Sequence, residues 1–437
     1  MTFDFFIAGL ALIKTEYRKI TMNVLAQSWA EIAAQLQINW NLVNTCLQFA
    51  SWGLVSLLLV EIVRDSYHAL CHYVPSLGKW HNKHHMAYRR DLSVVSLKIY
   101  QESQLYNDIV ESTLLVVVLT VMALLLQQWG FWLGVVYAFT FLYGASRRYF
   151  LGKIDTDYTH LPGPLETIPS VWWVNRSYHW RHHFDDVNAY YSGVFPLVDT
   201  VLGTGLSLKG KTIALTGASG ALGQALTAEL IKNNAKVVAL TTNPEKLQPQ
   251  EKLTVIAWEL GKEAELKAAL EKVDILIINH GVNVYANRTS EAIESSYEVN
   301  TFSTLRLMDI FLATVTGPQS KATKEIWVNT SEAEVSPALS PLYELSKRAI
   351  GDIVTLKRLD GDCIIRKLIL GPFKSQLNPY GVMSAPQVAR AILFLAKRDF
   401  RNIIVSINPL TYLLFPLKEV STWLYYRIFS KKVQSLN

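Results

Sequence analysis

At 437 residues the chain is long enough for two or three domains, and with half of its residues hydrophobic and only 18% charged it is too apolar for an ordinary soluble enzyme. The net charge of +6 is spread along the chain, which excludes a protein built to bind nucleic acid. Cys46, Cys71 and Cys363 stand far apart, which excludes a disulfide framework or a cysteine zinc site and suits a reducing compartment.

Residues 1–39 read as interfacial helices. Met1 to Phe6 lack a positive region, so no cleaved signal is expected, and Phe5 to Ile13 is too short to cross a bilayer. Trp40 to Val63 is the first span, ended by Arg64 and Asp65. His68 and His72 follow within a turn, then His81, His84 and His85. Lys79, Lys83, Arg89 and Arg90 around them point to the cytoplasmic side. Asp91 to Glu111 has apolar positions at helical spacing and is expected along the interface. Thr113 to Leu126 and Trp129 to Tyr143 read as a helical hairpin, with Arg147, Arg148 and Lys153 on the cytoplasmic side again. That hairpin accounts for the long gap between His85 and His160. His160 lies in a loop from Asp155 to Trp173, and His179, His182 and His183 follow. Asp185 and Asp186 behind them are candidates to hold second ring nitrogens, or simply a solvated turn.

Nine of the ten histidines therefore fall between positions 68 and 183. Residues three and four apart share a helix face, so each cluster can aim its imidazoles at one point. So many rings placed together favour a metal that takes their neutral nitrogens. Iron, zinc or copper accept such ligands. Zinc normally needs four, whereas eight or nine imidazoles suit two six-coordinate ions with open positions. Cys71, inside the first cluster, reads as a buried small residue before it reads as a thiolate ligand.

The pattern H-x-x-x-H, H-x-x-H-H, H-x-x-H-H resembles the fatty acid hydroxylase / sterol desaturase superfamily over residues 40–206, as do Asn188 to Gly193, Pro196 to Asp199 and Leu202 to Thr204. The resemblance implies a helical membrane domain with two Fe ions. Their ligands would be His68, His72, His81, His84, His85, His160, His179, His182 and His183, and the chemistry O2-dependent hydroxylation or desaturation of a lipid.

At Ser207 to Lys211 the composition changes. Thr212 to Thr216 is a β-rich run that leads into Gly217-Ala-Ser-Gly220-Ala-Leu-Gly223 and a helix to Asn234, with a second strand over Lys236 to Leu240. This order is a dinucleotide-binding unit, whose glycines let the backbone approach a pyrophosphate at the helix N-terminus. Further strands are predicted at Thr254 to Trp258, Asp274 to Asn279, Glu325 to Asn329, Cys363 to Leu370 and Asn402 to Ile407, giving an α/β Rossmann fold with a mostly parallel sheet over 207–408. Tyr343 and Lys347 lie four apart on one helix face, where an ammonium can lower a phenol pKa.

With the glycine loop, Asn279-His-Gly281 and Asn300, this stretch resembles the short-chain dehydrogenase/reductase family over about residues 208–408. The resemblance implies Tyr343 as acid/base, Lys347 as its partner and ribose ligand, Asn300 as proton relay and Ser331 as the substrate-polarising serine, with Thr330 or Ser336 as alternatives. Gly217, Ser219, Gly220, Gly223, Thr241, Asn279, Gly281 and Lys347 would hold the nucleotide. Ala221 stands where the family usually has glycine, and the loop after the fourth strand departs from its usual residues. The second strand ends Thr241-Thr-Asn243 without an acid and Lys246 follows, which favours NADP over NAD. Residues 409–437 carry the apolar run Leu410 to Phe429, read as an interfacial segment docking the reductase on the membrane or as a helix completing its substrate pocket.

The expectation is an integral membrane enzyme with both sites on the cytoplasmic side, acting twice on lipid: at a C–H bond through iron, and at an alcohol or carbonyl through nicotinamide. Hydride carries two electrons, whereas iron loads oxygen one electron at a time. No flavin or iron–sulfur motif is visible to convert between them, so an external ferredoxin- or cytochrome-like carrier is implied. The alternative is a membrane lipid- or nucleotide-binding protein whose reductase domain is idle.

Overall fold

The computed structural model describes residues 15–16, 18–23, 26 and 40–431. The segment Phe5 to Ile13 and most of 1–39 lie outside the described residues; of the rest, 15–16 and 18–23 are helical and exposed. The chain divides into two compact units, Met1–Val60 with Leu114–Thr140, and Glu61–Thr113 with Phe141–Asn437.

Three long helices lie in the N-terminal half: α1 (Trp40–Tyr73), the run of α3 (Leu97–Ser103) and α4 (Ile109–Leu126), and α5 (Trp132–Leu151); the shorter α2 (Pro75–His85) stands between the first two in sequence. A π turn at Gln104–Asp108 joins α3 to α4. Asn41–Tyr73 and Leu97–Leu126 are long and apolar enough to cross a membrane. Arg64 and Asp65, expected to end the first span, lie inside α1, which continues for about three more turns. Its charges are satisfied inside the helix: the Arg64 guanidinium bonds Glu61 one turn back and Asp65 Oδ1 at 3.0 Å, so nothing there ends the helix. Likewise Asp91 to Glu111 is no separate interfacial element, because its second half runs straight into α4.

In the first unit, small residues let backbones touch. A Cβ on Gly130 would lie 2.1 Å from Phe49 O, and one on Gly134 2.7 Å from Ser56 Cβ. The Gly134 N–H donates to Ser56 Oγ at 3.0 Å. Such close approach lets the helices pack backbone against backbone, with few large side chains between them.

The second unit holds the histidine-bearing helix α6 (Arg176–Phe184) and the short helix α7 (Leu197–Leu202), together with a seven-stranded sheet. Its strands are β1 (Thr212–Thr216), β2 (Lys236–Thr241), β3 (Leu253–Ala257), β4 (Ile275–Ile278), β5 (Glu325–Asn329), β6 (Ile364–Leu370) and β7 (Asn402–Val405), in the order β3-β2-β1-β4-β5-β6-β7. Every pairing is parallel. The strands are near-continuous apolar runs because both sheet faces are covered. On one face, α8 (Ala221–Lys232) and α14 (Ala385–Ala396) bury Leu222, Leu226, Val388 and Ile392 against Ile213 and Leu368. On the other, α11 (Ser303–Leu312) and α13 (Pro341–Lys357) bury Leu307, Phe311, Ile350 and Val354 against Leu276 and Ile326.

Helix α6 docks on the N-terminal edge of this sheet through a buried ionic chain. Arg181 of α6 reaches Glu325, the first residue of β5, at 3.2 Å, and also bonds Ala322 O. Glu325 accepts from Arg366 Nε and Nη2 at 2.8 and 3.0 Å, and Arg366 bonds Asp399 at 2.7 Å. Lys211, just before β1, pairs with Asp185 at 2.6 Å. Finally α15 (Pro409–Phe429) lies against α13, with Phe415 fully buried.

Candidate functional site

Two sites take shape, at opposite edges of the sheet. The first gathers all nine clustered histidines. His68 and His72 come from the last turns of α1, His81, His84 and His85 from α2, and His179, His182 and His183 from α6. His160 ends a 3-10 turn, Tyr158–His160. Asn175 caps α6 by accepting from Tyr178 N, which starts that helix where its histidines face inward.

The rings sort into two groups: His68, His72, His81, His85 and His182, and His84, His160, His179 and His183. Within each, one ligand nitrogen per ring lies within 4.8 Å of all the others. Several Nδ1 atoms donate outward: His68 to Tyr191 O at 2.7 Å, His182 to Ala189 O at 2.7 Å, His81 to Asn107 Oδ1 at 2.8 Å and His160 to Asp157 Oδ1 at 2.7 Å. Their Nε2 lone pairs are then bare, and those of His68 and His182 face each other. The Nε2 atoms of His68 and His182 are 3.0 Å apart, and His160 Nε2 sits 2.9 Å from that of His179 and 3.0 Å from that of His183. Bare lone pairs at such range repel unless a cation lies between them. Two nitrogens each about 2.1 Å from one ion and about 90° apart are separated by about 3.0 Å, so the geometry fits metal ions of more than four ligands. Burial, and after it the neighbouring rings, pushes His85 and His183 well below the usual imidazole range, which keeps them neutral as ligands must be.

The residues that orient these rings differ from those expected. Asp185 pairs with Lys211, and Asp186 accepts from Ser207 Oγ at 2.5 Å; the ring nitrogens find Asn107, Asp157 and backbone carbonyls instead. Asn107 sits in the π turn, and Asp157 lies three residues before His160, a spacing that was the available signal. Tyr88 stacks on His160 at 4.1 Å and donates to Asp157 Oδ2 at 2.7 Å. Cys71 is buried outside both groups.

The second site lies at the C-terminal ends of the strands. Gly217 has φ +63, and a Cβ on Gly223 would strike Gly217 O at 2.2 Å, so the loop between β1 and α8 closes only around glycine. Ser219 Oγ accepts from Thr241 Oγ1 at 2.8 Å at the end of β2, where no carboxylate stands. Asn279 accepts from Asn329 Nδ2 at 3.2 Å, and a Cβ on Gly281 would meet Asn300 Oδ1 at 3.0 Å and Lys347 Nζ at 3.7 Å. These backbone-lined gaps beside a buried ammonium fit a dinucleotide. His280, the tenth histidine, is half-buried there beside Trp258 and bonds Thr216 Oγ1 through Nδ1 at 2.9 Å.

Tyr343 and Lys347 share the inner face of α13. Ser331 lies beside the Tyr343 hydroxyl, accepts from Ala333 N at 3.2 Å and is held at φ +86, a strained conformation for a residue with a side chain. Ser336 turns away to Asn408, and the Thr330 hydroxyl is buried without a partner. Asn300 rides on a π turn, Glu298–Phe302, and bonds Val282 O and Ser346 Oγ at 3.0 Å each. Lys347 Nζ donates to Asn329 O at 2.8 Å and lies 5.8 Å from the centre of the Tyr343 ring. Burial raises the Tyr343 pKa above the usual phenol value, and the nearby Ser331 hydroxyl opposes it only in part. The expected lowering by Lys347 is not present in the protein alone, because that ammonium is engaged with a carbonyl. Lys347 itself is pushed down to about 8 by burial, with Glu334 opposing.

Comparison with known proteins follows this division. The pattern of the short chain dehydrogenase family matches residues 211–360. A monoglucosyldiacylglycerol epimerase from Synechocystis sp. is 55% identical over 401 residues, covering 87% of this chain and 97% of that protein. Among solved structures, a short chain dehydrogenase from Burkholderia cenocepacia in complex with NADP is 18% identical with a TM-score of 0.43, over 52% of this chain and 100% of that one. A short-chain dehydrogenase from Sphingobium yanoikuyae in complex with NADPH is 16% identical with a TM-score of 0.43, over 52% and 99%.

Proposed function

The chain belongs to the family of the monoglucosyldiacylglycerol epimerase, and on that footing we propose that it inverts one hydroxyl-bearing carbon in the sugar headgroup of a membrane glycolipid. The observation that carries this reading is the Ser331–Tyr343–Lys347–Asn300 constellation beside a glycine-lined loop, in a chain that spans nearly the whole of its relative. Inversion through a transient ketone is redox-neutral: the carbinol loses a proton and a hydride, and both return after the headgroup turns its other face. When bound, NADP or NAD supplies the hydride exchange. Gly217, Ser219, Gly220, Gly223, Thr241, Asn279 and Gly281 would hold that nucleotide, with Lys347 on its ribose. Ser331 orients the substrate oxygen, Tyr343 takes and returns its proton, and Asn300 links that proton to water beyond Val282.

The histidine half supports a second activity in the same enzyme. His68, His72, His81, His85 and His182 would hold one ion and His84, His160, His179 and His183 another. Bound iron there would supply oxygen chemistry at a lipid C–H bond, hydroxylation or desaturation, with single electrons from an external ferredoxin- or cytochrome-like carrier. The Lys and Arg residues around Lys79, Arg90 and Arg148 favour the cytoplasmic side for both sites.

The test uses the full-length protein in vesicles with monoglucosyldiacylglycerol and each nucleotide in turn. Nuclear magnetic resonance of the released sugar should show a second hexose differing at one carbon, with NADP more effective than NAD. An unchanged sugar on a lipid that has gained an oxygen atom or lost two hydrogen atoms would overturn the epimerase reading in favour of the second activity.

A further inference from the structure

Helix α15 is amphipathic the wrong way round. Its inner stripe is Thr411, Phe415, Lys418, Glu419, Thr422 and Tyr426. Lys418 bonds Glu334 Oε2 at 2.7 Å, and Glu419 accepts from Lys367 at 2.7 Å, Arg358 at 2.8 Å and Thr355 at 3.0 Å. A surface helix of a water-soluble protein turns its charges out and its leucines in. Here Leu410, Leu413, Leu417, Val420, Leu424 and Ile428 face outward, with Leu413 60% and Leu417 62% exposed. Of the charged residues in the helix, only Arg427, stacked 5.0 Å over Trp423 near its end, is on the open side.

The helix starts at the nicotinamide site. Asn408 donates to Ser336 Oγ at 3.3 Å and Thr411 Oγ1 to Glu332 Oε2 at 3.2 Å, both on the loop between Ser331 and Tyr343. From there it runs along the sheet to the N-terminal edge, where Trp423 and Val420 line a cavity of about 500 Å³ with Trp172.

We propose that the outer face of α15 lies in the headgroup region of the bilayer and holds the mouth of the nicotinamide site at the lipid surface. The occupant is lipid rather than a second copy of this chain for three reasons. Aliphatic side chains on the face are flanked by Tyr412, Tyr425 and Trp423, rings suited to an interface that is apolar on one side and wet on the other. Arg427 and Lys431 close the far end, as cations do beside phosphates. The same chain carries helices long and apolar enough to cross that membrane. This inference rests on the glycolipid reading above for the purpose of the surface, though not for its existence: a diacylglycerol lipid keeps its tails in the membrane, so the active site must come to the headgroup.

The test uses full-length protein with exposed Cys46 replaced by serine, reconstituted in vesicles containing phosphatidylcholine brominated on its chains. A bimane probe is placed at Leu417→Cys, or at Ala228→Cys, exposed on α8 across the sheet. Fluorescence at position 417 should be quenched roughly threefold more than at 228. Equal quenching overturns the proposal, as does a disulfide between copies formed through Leu417→Cys. In the second arm, Leu413→Ser with Leu417→Ser should raise KM for glycolipid in vesicles roughly tenfold while nucleotide affinity stays constant. An unchanged KM overturns the delivery role. Selective quenching at 417 in a protein that converts no glycolipid leaves the surface standing and removes the substrate reading.

Discussion

Replacing Glu325 by glutamine tests whether the sheet positions the histidine helix. The carboxylate is fully buried and accepts from Arg181, from both arms of Arg366 and from Trp327 Nε1 at 3.0 Å. The amide keeps the shape but loses the charge, and its NH2 faces a donor. Breaking a buried pair costs about 3–5 kcal/mol, because the partner charge is left uncompensated. Asp399 still holds Arg366 at 2.7 Å, which places the loss near the lower end, about 3 kcal/mol. For a sheet domain of roughly 200 residues that is a fall in Tm of about 6–12 °C. Arg181 lies between His179 and His182, so its release should also loosen α6 and reduce bound metal by roughly tenfold. The assay is thermal unfolding of the detergent-solubilised protein with metal analysis of the same sample. A variant that melts within a degree or two of the parent (about 0.5 kcal/mol) and keeps its full metal content would refute the coupling of Arg181 to α6.

Tyr343→Phe should lower turnover by roughly two to four orders of magnitude with nucleotide affinity nearly unchanged, read by steady-state kinetics and fluorescence titration. Asp157→Asn leaves His160 without its carboxylate partner and should weaken metal retention against a chelator by roughly 10–100-fold, read by metal analysis after dialysis. Lys347→Met addresses pH. The folded lysine releases its proton near 8 and the unfolded one near 10.5, so between those values the unfolded state holds the extra proton and stability rises with pH. The native protein should therefore gain about 3 kcal/mol on the variant across that window and nothing below it; a difference independent of pH in chemical denaturation would contradict this.

The sheet was legible because its strands are short apolar runs between turn residues, and each predicted strand lies within a residue or two of an observed one. The histidine groups were legible from spacing, since i, i+3 and i+4 on a helix leave few directions for a ring. Asn107 was not, because it meets His81 only after a π turn rotates it inward, and no local pattern announces that turn. Asp185 and Asp186 misled for the converse reason: they are close in sequence to the rings but are drawn off by Lys211 and Ser207. Arg64 looked like a helix stop because charge at a span end usually meets water; here Glu61, one turn back, answers it. The Tyr343 pKa went the other way from expectation because proximity along a helix does not say which neighbour an ammonium chooses.

Docking of α6 on the N-terminal edge of the sheet sets the two proposed centres back to back, with the length of β6, about 20 Å, between them. No headgroup can reach both at once, and no hydride can cross. On the two activities proposed, each centre is an independent genetic target. In a membrane carrying two versions of the chain, one dead at Tyr343 and the other at His160, an intact copy of each centre is present, and lipid diffusing in the bilayer can visit both.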